Sequence, residues 1–139
     1  MENLIYIPGR ITSEEDAAAY HEIDAHAIEM GGQPYRRELF GIRVKHGDDI
    51  RGLVGGYIAW DWLYIDTLWV KAPQRHRGIG TELMRRAERV AREGGMIGIH
   101  LWTQAWQASE FYKKLGYEEF ARFDDFPKGH QRIGLRKYL

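Results

Sequence analysis

Residues 74–81 read QRHRGIGT and lead directly into ELMRRAERVAREGG. Those residue types at the mouth of a helix suit anion binding. A helix N-terminus leaves about four backbone N–H groups unpaired and carries roughly half a positive charge. Gly78 and Gly80 lack side chains, so a phosphate could approach the amides closely, while Arg75 and Arg77 would add attraction and bidentate hydrogen bonds. A solvated charge cluster on a loop accounts for the same residues equally well. Neither standard phosphate motif fits: Thr81 follows Gly80 with no P-loop lysine, and Leu83 stands where a dinucleotide fingerprint needs its third glycine.

The surrounding elements must position that stretch. Residues 3–7 (NLIYI) read as a first strand ended by Pro8-Gly9, and Thr12-Ser13-Glu14-Glu15-Asp16 as a helix N-terminus, the helical region running to about Met30. Residues 37–45 and 50–60 form a hairpin through a turn at 46–49, and Asp61 turns the chain tightly into 62–70 (WLYIDTLWV), which reads as a central, doubly covered strand. A helix over 78–93 carries Ile79, Leu83, Ala87, Val90 and Ala91 at helical spacing, with Arg85, Arg89 and Arg92 opposite. Glu82/Arg86 and Glu88/Arg92 are i,i+4 pairs. A strand over 96–102, a helix over 105–115 and an antiparallel pair over 117–125 and 131–138 complete the order. This predicts an α/β (α+β) fold with a mixed, mostly antiparallel sheet flanked by helices. A doubly wound nucleotide fold, which needs repeating strand–helix units, does not match.

The chain has 139 residues, no repeat and no linker-like tract, so one domain over 1–139 is expected. It has no cysteine, which excludes disulfides, thiolate metal sites and a cysteine nucleophile. Twenty basic and twenty acidic residues cancel, which argues against a general nucleic-acid binder. No stretch approaches the roughly 18 apolar residues of a membrane span, and MENLIYIPGR has no export-signal pattern, so a cytoplasmic protein without membrane partners is the expectation. Aromatics make up 13% of the chain and cluster in WDWLYIDTLW, as a heavy core or a ligand-lined wall would. His21 and His26 lie five apart, a poor spacing for two ligands on one helical face, so no metal site is expected. His130, in the closing hairpin, reads as a surface histidine.

Arg75-x-x-Gly78-x-Gly80, entered from an apolar strand and opening an amphipathic helix, resembles the acetyl-coenzyme A signature of the GNAT superfamily of N-acetyltransferases. Ser109-Glu-Phe-Tyr-Lys-Lys-Leu-Gly-Tyr117 resembles its second hallmark, a helix ending in Phe-Tyr-x-x-Leu-Gly-Tyr/Phe. Either motif alone is weak, but the pair comes in the expected order and separation. GGYIAWDWLYIDTLWV and DDFPKGHQRIGLRKYL resemble small bacterial members with no settled substrate.

The resemblance implies acetyl-CoA as cosubstrate, with no metal. Its pyrophosphate would rest on the amides of Arg77, Gly78, Ile79, Gly80 and Thr81, beside Arg75 and His76. Its pantetheine arm would run along Leu68, Trp69 and Val70, with the Val70 amide polarising the thioester carbonyl. Tyr112 matches the tyrosine that protonates or steadies the leaving thiolate, its alternative being simple packing beside Phe111. Asp66 stands where other members carry an acid; it acts as base through water, pairs with an arginine, or attracts a cationic substrate. Many members carry an asparagine where this chain has Ala105, and Gln104 or Gln107 are candidates to replace its cofactor contact. Trp60, Trp62 and Tyr64 either line the acceptor pocket or pack in the core. The implied reaction is direct acetyl transfer to a primary amine of a small molecule in a ternary complex. A non-catalytic acyl-CoA-binding or regulatory module is the alternative, and a nucleic-acid binder using the Arg75–Arg92 basic face is a third reading. Homodimers are common among the family's members.

Overall fold

The computed structural model describes residues 2–139. The chain forms two units, one ending at Tyr35 and the other running Arg36–Leu139.

In the first unit the regular element is α1 (Ser13–Glu29). Thr12 starts it with a reciprocal capping box. Its Oγ1 accepts from the Glu15 N–H at 3.1 Å, while the Glu15 carboxylate accepts from the Thr12 N–H at 2.9 Å. Glu14, Glu15 and Asp16 in the first turn complement the helix dipole. The strand expected over 3–7 is absent: residues 2–12 carry neither helix nor strand, and Leu4, Ile5, Tyr6 and Ile7 are exposed. An apolar run becomes a strand only where a neighbouring backbone offers a ladder, and within this unit none does.

The second unit is built on one six-stranded sheet. Its strands are β1 (Glu38–His46), β2 (Asp49–Ala59), β3 (Trp62–Val70), β4 (Gly98–Gln104), β5 (Glu118–Asp124) and β6 (Gln131–Tyr138). They lie in the order β1-β2-β3-β4-β6-β5, antiparallel throughout except for β3–β4. That parallel pair needs a crossover, which α2 (Ile79–Glu93) supplies; α3 (Ser109–Lys114) follows β4. Trp60 and Asp61 take positive φ (45° and 68°), as a two-residue hairpin between twisted strands demands.

One sheet face carries Leu63, Ile65, Ile99, Leu101, Ile133 and Leu135, which form one core with Leu83, Met84, Ala87 and Ala91 of α2. The expected stripe on α2 is thereby shifted. Val90 is exposed at its edge, and Met84 and Glu88 are buried in its place. Glu88 is tolerated there because Lys137 Nζ reaches both its oxygens at 3.1 and 3.2 Å and the Tyr117 hydroxyl donates at 3.1 Å. Lys137 also donates to the Leu115 carbonyl at 2.8 Å, tying β6 to the end of α3. β3 is central but not equally covered: Leu63 and Ile65 are buried, whereas Trp62 and Tyr64 on its other face are half-buried and Asp66 is exposed.

Candidate active site

The site is opened by two irregularities in β3. Gly55 pairs with Thr67 and Gly56 with Ile65, which leaves Asp66 as the extra residue of a β-bulge. Gly56 is required opposite the bulge, since a Cβ there would run into the Tyr64 carbonyl oxygen. The second irregularity is the short parallel ladder. β4 pairs with β3 only over Trp62–Ile65 against Gly98–Leu101, then continues alongside β6 to Gln104. Beyond Ile65 the two strands part, and Asp66 stands at the mouth of the gap.

The direction of the β3 amides follows from one hydrogen bond. Lys71 N–H donates to the Arg51 carbonyl at 2.8 Å, so it points toward β2. Successive residues of a strand turn their backbone groups to opposite sides, so Trp69 also points toward β2. Leu68 and Val70 therefore point their N–H groups into the gap, where no strand meets them. The Val70 carbonyl is turned the same way and accepts from Arg75 Nε at 3.1 Å. Arg75 thus braces the loop against the strand end and keeps that carbonyl from other donors.

The gap holds a groove of about 550 Å³. Leu68, Val70, Ile79, Ala108 and Phe111 form its apolar walls; Gln74, Arg75, His76, Gly78, Gly80 and Thr81 close one end. Gly78, the N-cap of α2, adopts φ +81° and has no side chain to cap the helix, so the first-turn amides face outward uncapped. Gly80 faces the Phe111 ring, where a Cβ would make an ordinary contact at 3.5 Å. The arrangement suits an elongated ligand with an anionic end.

A second cavity of about 270 Å³ shares Leu68 and Ala108 with the groove. Asp66 and Tyr112 both border it, together with Thr67, Trp102, Thr103 and Gln107. Asp66 Oδ1 accepts from the Thr67 hydroxyl at 3.0 Å. Tyr112 is only 7% exposed, and burial pushes its pKa up to about 12, so it is a neutral donor at ordinary pH. Tyr112 and Tyr117 rings meet edge to face at 5.8 Å, and burial, then the Glu88 carboxylate, raises the Tyr117 phenol as well.

The structure brings together most of the residues singled out from sequence and separates others. Leu68, Val70, Arg75, His76, Gly78, Ile79, Gly80 and Thr81 line the groove, whereas Trp69 and Arg77 do not. Strand alternation already forbids consecutive residues 68–70 from sharing one face. Trp60 and Trp62 border a different cavity, of about 310 Å³, with His100, Phe120 and Arg136. Trp62 lies four residues before Asp66, roughly 13 Å along the strand. Tyr64 lines neither of these cavities; its ring stands 5.1 Å from that of Tyr57 and 4.9 Å from that of His100. Burial raises its pKa, opposed by the charge of Arg132. Ala105 is exposed; Gln107 borders the second cavity but its Oε1 accepts from Gln104 N–H at 3.0 Å, and Gln104 Nε2 donates to the Phe126 carbonyl at 2.8 Å. Sequence reasoning missed Gln74, Ala108 and Phe111 as groove walls and Trp102 and Thr103 as cavity walls; the same-face spacing of Ala108, Phe111 and Tyr112 was the signal available.

Residues 8–117 match the model of the Acetyltransferase (GNAT) family, and the chain belongs to that family. It is 43% identical over 86 residues to blasticidin-S acetyltransferase of Streptomyces morookaense, a match covering 61% of this chain and 62% of that relative. It thus spans less than two thirds of that relative's length. The crystal structure of an acetyltransferase from Bacillus cereus superposes with a TM-score of 0.84 at 31% identity, over 96% of this chain and 98% of that one. An aminoglycoside 6'-N-acetyltransferase crystallised with coenzyme A shares the fold at a TM-score of 0.67 and 20% identity, covering 73% of each chain. Among the described residues no helix is long and apolar enough to cross a membrane.

Proposed function

We propose that residues 1–139 form one acetyl-CoA-dependent N-acetyltransferase domain that acetylates a primary amine of a small molecule by direct attack in a ternary complex. The observation that carries this reading is the junction of the two cavities at Leu68 and Ala108, with Asp66 and Tyr112 together on the far side. The groove fits the cosubstrate by its donor set. Uncapped α2 amides, Arg75 and His76 would hold the pyrophosphate, and the walls at Leu68, Ile79 and Phe111 would take the apolar arm. Bound there, acetyl-CoA supplies an activated acetyl thioester.

The chain's own groups do the rest. The N–H groups of Leu68 and Val70 point into the groove as preorganised donors to carbonyl oxygen, a device whose loss costs about 10²–10³ in rate. Asp66 takes the ammonium proton through water, since a free alkylamine has a pKa near about 10 and attacks only when neutral. Tyr112, protonated up to about pH 12, steadies the departing sulfur by donating a hydrogen bond. With no cysteine in the chain, an acyl-cysteine intermediate is impossible. Family membership and a relative named for an antibiotic support a small-molecule acceptor. On family grounds alone the enzyme is taken as cytoplasmic and homodimeric.

Thermal denaturation with acetyl-CoA and a thiol-release assay across an amine panel test the reading. A rise in Tm and amine-dependent thiol are expected. No shift at millimolar acetyl-CoA would remove the cosubstrate, and a shift without thiol would leave a non-catalytic acyl-CoA-binding module.

A further inference from the structure

Arg132 has no place in the reaction described above, yet it is held against a wall residue of the second cavity. Its guanidinium lies 4.9 Å from the Trp102 ring centroid and 5.2 Å from that of Phe126. Trp102 is itself a wall of the cavity that contains Asp66. Arg132 lowers the pKa of the Tyr64 hydroxyl by its charge and by donating it a hydrogen bond, and the Asp66 charge raises it. Five other arginines of the chain sit in ion pairs with Asp or Glu: Arg51, Arg86, Arg92, Arg122 and Arg136. Arg132 is half-buried and pairs with no carboxylate among the described residues. A guanidinium held against two rings and hydrogen-bonded to the Tyr64 hydroxyl has its orientation fixed, and the donors that Tyr64 does not use stay available for a planar acceptor.

Resting on the N-acetyltransferase reading, we propose that the acceptor carries a carboxylate as well as its amine, the amine at Asp66 and the carboxylate on the fork of Arg132. β4 lies between β3 and β6, and β3 has parted from β4 beyond Ile65, so Asp66 and Arg132 belong to strands that are not neighbours. Trp102 between them, and Tyr64 beside them, favour a flat or aromatic body. One arginine fork matches one carboxylate.

Two probes separate the claim from its basis: benzylamine and 4-(aminomethyl)benzoate, which differ only by the remote acid. Binding to the CoA-loaded protein is followed by calorimetry, and acetylation by thiol release. The wild type should bind the acid at least ~10-fold more tightly, consistent with one charge-assisted bidentate pair. Arg132→Gln should bring that ratio to about one, and Arg132→Lys should keep part of it; melting curves of both variants verify folding. An acid preference that survives in Arg132→Gln, or its absence from the wild type, overturns the inference. Acid-selective binding with no thiol release sustains it and removes the transferase reading. Equal acetylation of both probes does the reverse.

Discussion

Replacing Tyr112 with phenylalanine removes one oxygen from a side chain that is 7% exposed and packed edge to face on Phe111 and Tyr117. No hydrogen bond to that hydroxyl exists among the described residues, so the folded protein loses none. The stability change should stay within about 1 kcal/mol, a Tm shift of no more than about 4 °C for a chain of this size. Catalysis should respond differently. A hydrogen bond to a charged partner contributes about 1.5–3 kcal/mol, so losing one to a departing thiolate slows turnover by roughly 10–150-fold. KM for acetyl-CoA should change less than kcat. Alkali adds a check with a definite sign. The folded pKa, about 12, lies above the ordinary value of 10.0, so the folded state keeps its proton where the unfolded state loses it. Tyr112 therefore favours unfolding as pH rises from about 10 to about 12, by up to about 3 kcal/mol. The variant should lack that part of the alkaline loss. Below pH 10 Tyr112 remains neutral, so the rise of kcat/KM with amine deprotonation should show no falling limb from this group. Thiol-release kinetics and melting curves across pH measure all of this. Unchanged kcat would reduce Tyr112 to packing, and a loss of more than about 3 kcal/mol at neutral pH would reveal a buried hydrogen bond to its hydroxyl.

Lys137→Met strips Glu88 of its main counter-charge, leaving Tyr117 and a more distant Arg92 at 3.8 Å. A loss of about 3 kcal/mol, or roughly 10 °C in Tm, is expected, and the double variant Glu88→Leu/Lys137→Met should regain most of it. No recovery would mean that the pair does more than neutralise itself. Gly56→Ala places a methyl group against the Tyr64 carbonyl, so chemical denaturation should show at least 1–3 kcal/mol of destabilisation, about the cost of overpacking. Because relief requires the bulge to move, acetylation by the folded fraction should fall too; full specific activity there would detach Asp66 from the bulge.

The parts legible in the sequence are those with local causes. Gly78 and Gly80 before an amphipathic run announce a helix mouth, and Trp60-Asp61 between apolar runs announces a hairpin, because the backbone geometry each needs is set within a few residues. The motif pair built on Arg75 and Tyr112 is local in the same sense, and it carried the family resemblance. Partnership across the fold was not legible. Asp66 became a cavity residue only because Gly55 and Gly56 pair around it, eleven and ten positions earlier in the chain. Glu88, read only as the i,i+4 partner of Arg92, is buried and meets Lys137 from 49 residues away. Trp60 and Trp62 share their stretch with Asp66 yet belong to another cavity, since strand rise carries neighbours in sequence far apart along a sheet. The apolar run at 3–7 shows the converse: its pattern permits a strand, but pairing is a property of two segments, and only the tertiary structure supplies or withholds the second. Local geometry and composition determine which groups are present and which way the chain turns. Where β3 and β4 part, and therefore which of those groups face one another across the gap, depends on long-range contacts that no single stretch encodes.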